Sequence, residues 1–236
     1  MSFLGAYAHT LFWVTAAQTA LLLTVVPVLL VLGAPVSLLV RAAPPWEPRV
    51  ERFLGSAAMR ALTFPIIGSL LVATMPFLVY YTPWFEASLR WWPVYWLLHV
   101  VLLAVGLLFF WPVISLDRPP RVHHVALTVI VLAETLFDAV PGIALWLGKA
   151  LIAQDYYREV ARPWGRSLLS DQQFGGVVLW GIGELVGLPL LMLVVVQWVR
   201  TDAAEAARID AELDLADARR DQQAGGYQGI EMNGEE

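Results

Sequence analysis

Five apolar runs, each at or near the ~20 residues that a helix needs to cross a bilayer, leave this chain little choice of fold. They are Leu11 to Leu32, Ala61 to Tyr81, Val94 to Val113, Val125 to Leu151 and Val177 to Val199. In hydrocarbon every backbone N–H and C=O must be satisfied within the segment, so such runs are helices. The fourth run carries two acids, Glu134 and Asp138, one helical turn apart and therefore on one face. Carboxylates at the centre of a spanning helix cost ~2.5–3.5 kcal/mol each on insertion scales, which makes this pair a pointer to function.

Composition agrees with an all-α membrane protein. Hydrophobic residues make up 58% of 236 positions, charged residues 15%, and the mean hydropathy is +0.64. A soluble domain carries about 25% charged residues. Cysteine is absent, which removes disulfides, thiolate metal sites and cysteine nucleophiles together. The net charge of −5 arises in the tail after Thr201, and no basic block suggests nucleic acid. Leu11 to Leu32 lacks a basic leader and a small-residue cleavage site, so it is expected to be a retained helix.

Arginine placement gives an orientation. With the N-terminus outside, the inner side holds Arg41, Arg49, Arg52, Arg60, Arg118, Arg121, Arg200, Arg208, Arg219 and Arg220. The outer side holds Arg90, Arg158, Arg162 and Arg166, with Lys149 near the outer end of the fourth helix. The expected architecture is a bundle of five transmembrane helices over residues 1–200. A cytoplasmic charged helix follows at 201–222, and a disordered tail at 223–236.

The connecting segments have distinct characters. Pro44, Pro45 and Pro48 argue against helix in the first inner loop, and Val50 to Met59 should lie along the interface. Trp84, Trp91, Trp92 and Trp96 sit where an aromatic belt would anchor the chain at headgroup level. His123 and His124, at an inner helix end, are read the same way. The outer loop Gln154 to Gln173 is aromatic and basic, and Ser170-Asp171-Gln172-Gln173 is expected to cap the fifth helix. Gly181, Gly183 and Gly187 follow no strand, so they do not form a dinucleotide loop. Gly183 and Gly187 instead have the spacing of close helix packing.

At about 1.5 Å rise per residue, His9, Met75, His99, Asp138 and Glu184 all fall in the outer half of the membrane. They admit two readings. One is a cation site, imidazole and thioether suiting copper and carboxylates suiting harder ions or protons. The other is a set of hydrogen-bonded groups stitching helices together, with Glu134 and Asp138 protonated by burial. No Gly-x-Ser-x-Gly occurs and the one credible histidine of the membrane body, His99, has no nearby nucleophile in sequence, so the chain is not expected to be an enzyme.

Several segments together resemble the CtaG-type cytochrome c oxidase assembly factor family. They are Pro27-Val-Leu-Leu-Val-Leu-Gly33-Ala-Pro35-Val, Phe110-Trp-Pro-Val-Ile-Ser-Leu-Asp117, Gly142-Ile-Ala-Leu, Asp171-Gln172-Gln-Phe-Gly-Gly176, Trp180-Gly-Ile-Gly183-Glu184 and Trp198-Val-Arg-Thr-Asp202. Their order and spacing cover roughly Thr15 to Asp217. The resemblance implies a multi-pass protein of the bacterial plasma (inner) membrane that helps place copper in cytochrome c oxidase. It also implies a chain that begins later than longer members do.

The resemblance further implies histidines at several positions where this chain has other residues. Thr15 and Thr19 flank Gln18 before the Pro27 segment, Tyr80 closes the second helix, Tyr95 precedes His99, and Asp138 lies four residues before Gly142. Tyrosine and threonine are poor copper ligands. Two functions are therefore expected. One is an oxidase assembly factor, with copper near His99, Asp138 and Glu184 or without copper delivery. The other is a non-metal accessory subunit that binds a respiratory or other membrane complex. Proton or small-solute conduction is a third, resting on the buried acids alone.

Overall fold

The computed structural model describes residues 3–114, 124–160 and 162–232, without the side chains of residues 35–37, 124 and 214–232. Every regular element among them is helical. Four helices are individually long and apolar enough to cross a membrane, and a fifth crossing requires a bent pair to count as one span. Arg118, Arg121, His123 and the Ser115–Asp117 part of the second motif fall outside the described residues.

A short α1 (Phe3–Tyr7) leads through a turn bearing His9 into α2 (Phe12–Leu32). Within α2, Leu21–Val25 is wound as a π-helix just ahead of Pro27. Proline has no N–H to give the carbonyl four residues back. That carbonyl, of Leu23, lies against Gly106 of another helix.

The next segment departs from expectation. Pro44–Trp46 forms a 3₁₀ turn and Glu47–Leu54 an α-helix, α4, after α3 (Pro35–Ala42). Pro44, Pro45 and Pro48 occupy first-turn positions of their helices, where the N–H has no intrahelical partner to lose. The prolines thus start these helices rather than forbid them. The left-handed residue between Gly33 and Pro35 is Ala34, at φ 45°, while Gly33 keeps an ordinary φ of −71°. Ser56 caps α5 (Ala57–Leu62) by accepting from the Met59 N–H at 3.2 Å.

α6 (Pro65–Tyr80) has 16 residues, about 24 Å at 1.5 Å per residue and short of a ~30 Å hydrocarbon core. It bends by 63° into α7 (Trp84–Arg90). α8 (Trp92–Ile114) is the central span, meeting Gly68 of α6 through Phe109 and α2 through Gly106. α9 (His124–Leu147) ends four residues earlier than the apolar run does. α10 (Gln154–Val160) follows, and then α11 (Leu168–Met232).

The start of α11 also corrects the sequence reading. Its first turn is capped by Ser167, whose Oγ accepts the Ser170 N–H at 3.3 Å, so the helix begins before Asp171 rather than at it. By contact density the chain divides into Met1–Met192, which holds the bundle, and Leu193–Glu236. In the second unit Arg208 lies 3.9 Å from Glu205 and 3.8 Å from Glu212, the alternating-charge pattern of a solvated helix.

Candidate functional site

The polar residues inside the bundle fall into separate groups, each joining particular helices. The first lies near the start of α8. His9 and His99 both pack against the ring of Tyr95, at centroid distances of 5.2 and 4.0 Å. They are close enough to act on one another electrostatically. Tyr95 Oη donates to Gln18 Oε1 at 3.2 Å, and Gln18 Nε2 donates to the Leu4 carbonyl at 3.1 Å. His99 Nδ1 lies 2.8 Å from the Tyr95 carbonyl oxygen. A carbonyl only accepts, so Nδ1 carries the proton and a neutral ring keeps its lone pair on Nε2.

The second group lies on the seam between α9 and α11. Thr135, Asp138 and Gly142 share one face of α9, and Gly176, Trp180, Gly183 and Gly187 share one face of α11. A Cβ at Gly142 would stand 2.7 Å from Trp180 Cβ and 2.8 Å from the Gly176 carbonyl, so the two backbones nearly touch. One turn further, the Asp138 carboxylate fills the space where a Gly183 side chain would be. The spacing of Gly183 and Gly187 therefore does serve close helix packing. Trp180 Nε1 donates to Glu184 Oε1 at 3.1 Å. Glu134 is buried, and its carboxyl interacts electrostatically with those of Asp138 and Glu184.

Sequence reasoning did not find the remaining ties. Tyr80 Oη donates to Thr19 Oγ1 at 3.0 Å, with both residues buried, joining α6 to α2. Asp171, expected to serve its own helix, serves another. Its Oδ2 accepts the backbone N–H of Phe12 at 2.8 Å, at the first turn of α2, where the helix dipole favours negative charge. The same oxygen lies 3.0 Å from Arg162 Nη2, with both side chains almost wholly buried. Gln172 closes the other side, accepting from Ile152 N at 2.8 Å and donating to Ala150 O at 2.9 Å. An acid and an amide side by side at the end of a polar loop gave the only hint of this.

A further tie sits outside the spans. Arg90 contacts Glu86 at 2.9 Å and Glu159 at 2.8 Å, linking α7 to α10. The guanidinium holds the Glu159 carboxyl below its ordinary range. Tyr156, on α10, donates to the His9 carbonyl at 3.0 Å. Trp91, Trp92 and Trp96 are exposed, as belt residues are, whereas Trp84 is half-buried.

The expected donor set is thus divided. His9 stands with His99, Asp138 stands with Glu184, and Met75 is buried on α6. Among the described residues no three histidine, aspartate or glutamate side chains converge as metal ligands do. Of the motif residues, Pro27, Gly176 and Gly183 are buried at helix contacts, Gly33 is exposed, and the Pro35 side chain lies outside the description.

Apolar helices fit to span a membrane, closely packed through glycines and joined by hydrogen bonds between helices, define a polytopic helical membrane protein. The chain belongs to the cytochrome c oxidase caa3 assembly factor (Caa3_CtaG) family, whose model matches residues 1–201. It is similar to the uncharacterized proteins Mb0105 of Mycobacterium bovis and MT0111 of Mycobacterium tuberculosis, each 34% identical over 223 residues. It is also 31% identical over 217 residues to ML1998 of Mycobacterium leprae. These alignments cover 90% of this chain for the first two and 88% for the third. They cover only 34% and 33% of the relatives, so the chain spans about a third of their length. No solved structure matches it.

Proposed function

We propose that this chain is a non-enzymatic cytochrome c oxidase assembly factor of the bacterial plasma membrane. It works by binding a respiratory membrane complex rather than by holding copper at the positions where its family pattern has histidine. Family membership supports the assembly role. The observation that carries the finer reading is the Tyr80–Thr19 hydrogen bond. Two of the positions that the resemblance makes histidines come together in the bundle, but as two hydroxyls, one donating to the other. Hydroxyls of this kind are poor Cu(I) ligands. The N-terminus faces outside, by the arginine bias, and the partner complex docks from within the bilayer.

Deletion of the gene, followed by measurement of oxidase assembly and oxidase copper content, tests the role. Loss of assembled oxidase that Thr19→Val/Tyr80→Phe protein restores supports a docking factor. Normal oxidase in the deletion strain would sink the assembly reading. Co-purification of a stoichiometric membrane complex in mild detergent supports the docking step.

A second reading has one observation in its favour. His99 keeps Nε2 free for a ligand through its Nδ1 bond to the Tyr95 carbonyl, and His9 is its neighbour. Two imidazoles can take Cu(I) as cargo. Purified protein loaded with Cu(I) under reducing conditions would then hold about one ion, and His99→Ala would release it.

A further inference from the structure

We propose that the segment between α2 and α6 binds an anionic phospholipid. One acyl chain lies in an open apolar groove, and the phosphate lies on arginines at its rim. The groove encloses about 460 Å³, within the ~300–1,000 Å³ range of small-molecule sites. Leu39 of α3, Trp46 of the 3₁₀ turn, Phe53 of α4, Met59 of α5 and Trp111 of α8 line it, and Arg49 is the one charged residue among its walls.

Three observations identify the occupant. The walls are almost entirely carbon, and Trp46 and Phe53 stay more than half exposed, which an aqueous surface would penalise. Trp111 comes from the last turn of a spanning helix, so the groove opens where headgroups meet the first methylenes of the chains. The segment that builds most of this slot, residues 41–60, carries Arg41, Arg49, Arg52 and Arg60 against Glu47 and Glu51, a balance of four cations to two anions. None of the four arginines makes an ion pair among the described residues.

Geometry prepares the rim for a phosphate. The Arg49 guanidinium lies over the Trp46 ring, 5.5 Å from its centroid, a cation–π contact between two residues that line the groove. Arg52 follows three residues later, on the same side of α4. Guanidinium matches phosphate oxygens in a bidentate way, and anionic lipid draws basic segments to the membrane surface. An acyl chain suits the groove better than a peptide does, because the walls offer almost no polar partner for a backbone.

The test uses the full chain in a neutral detergent, observed by native mass spectrometry. It is titrated with phosphatidylglycerol and with phosphatidylcholine of the same acyl chains. Phosphatidylglycerol should be retained at roughly tenfold lower concentration, the scale of one to two arginine–lipid contacts. Arg49→Gln/Arg52→Gln, at exposed positions, should abolish the preference with the melting temperature unchanged. Val50→Trp, which fills the groove, should lower retention of both lipids. Equal retention of the two lipids by the native chain overturns the proposal. An undiminished preference in the arginine variant does so as well, and so does competition by deacylated glycerophosphoglycerol as effective as that by the lipid. A dimer that forms through this face and excludes lipid would show the occupant to be a second copy, and would overturn it too.

Discussion

Tyr80 Oη and Thr19 Oγ1 meet at 3.0 Å inside the bundle, the hydroxyl of α6 donating to that of α2. The pair joins the 16-residue α6 to the first span. Removing the donor alone leaves Thr19 buried without it. Tyr80→Phe should therefore lower stability in detergent by about 1–3 kcal/mol, the cost of orphaning a buried polar group. Thr19→Val/Tyr80→Phe should cost less than the sum of the single changes, since neither partner is then stranded. Strict additivity in the thermal unfolding of the four proteins would show that the bond contributes nothing.

Asp171, in the first turn of α11, holds the start of α2 across 159 residues of sequence. Its carboxylate caps the Phe12 N–H and pairs with the buried Arg162. Asp171→Ala should cost ~3–5 kcal/mol, because a buried guanidinium loses its partner. Arg162→Met added to it should recover part of that loss. The readout is folded yield and melting temperature, and a variant as stable as the native chain would remove the pair from the list of structural ties.

The sequence carried the apolar spans plainly, because length and hydropathy are local properties. α2, α8 and α9 begin within two residues of their runs. What it could not carry were relations between helices. Asp171 looked like a cap for its own helix because the signal for capping is local, while its partner lies 159 residues away. The family pattern named Thr19, Tyr80 and Tyr95 as altered positions, yet nothing in one sequence shows that Thr19 faces Tyr80 or that Gln18 faces Tyr95. The prolines of the first loop misled for a different reason. Proline opposes a helix interior but suits a first turn, and the sequence alone does not say which turn it will occupy.

Two glycines should be intolerant of a methyl group and a third indifferent. At Gly106 a Cβ would collide with the Leu23 carbonyl and the Pro27 ring, and at Gly183 with the Asp138 carboxylate. At Gly181 it would meet open space. Overpacking of this kind costs typically 1–3 kcal/mol. Gly106→Ala should be the worst, since backbone cannot move aside, and Gly181→Ala should match the native chain. Gly183→Ala should be partly rescued by Asp138→Ala, which removes the group it strikes. Equal melting temperatures across the three single variants would contradict the close packing of these helices.

The Arg90–Glu159 link should be sensitive to acid. Hydrogen bonding to Arg90 holds the Glu159 carboxyl below its ordinary value in the folded chain. A depressed carboxyl contributes stability that is complete above its unfolded pKa, ~4.3, and is lost as pH falls through the lower folded value. Both side chains are exposed, so the effect is small and screened by salt. α10 should therefore loosen from α7 below about pH 4, the unfolded carboxylate range. Fluorescence quenching of a probe attached to a cysteine introduced at Arg158 would follow that release. Arg90→Gln should loosen α10 already at neutral pH and flatten the acid transition, and 0.5 M salt should do the same in part. A transition that survives unchanged in Arg90→Gln would assign the acid response to another group.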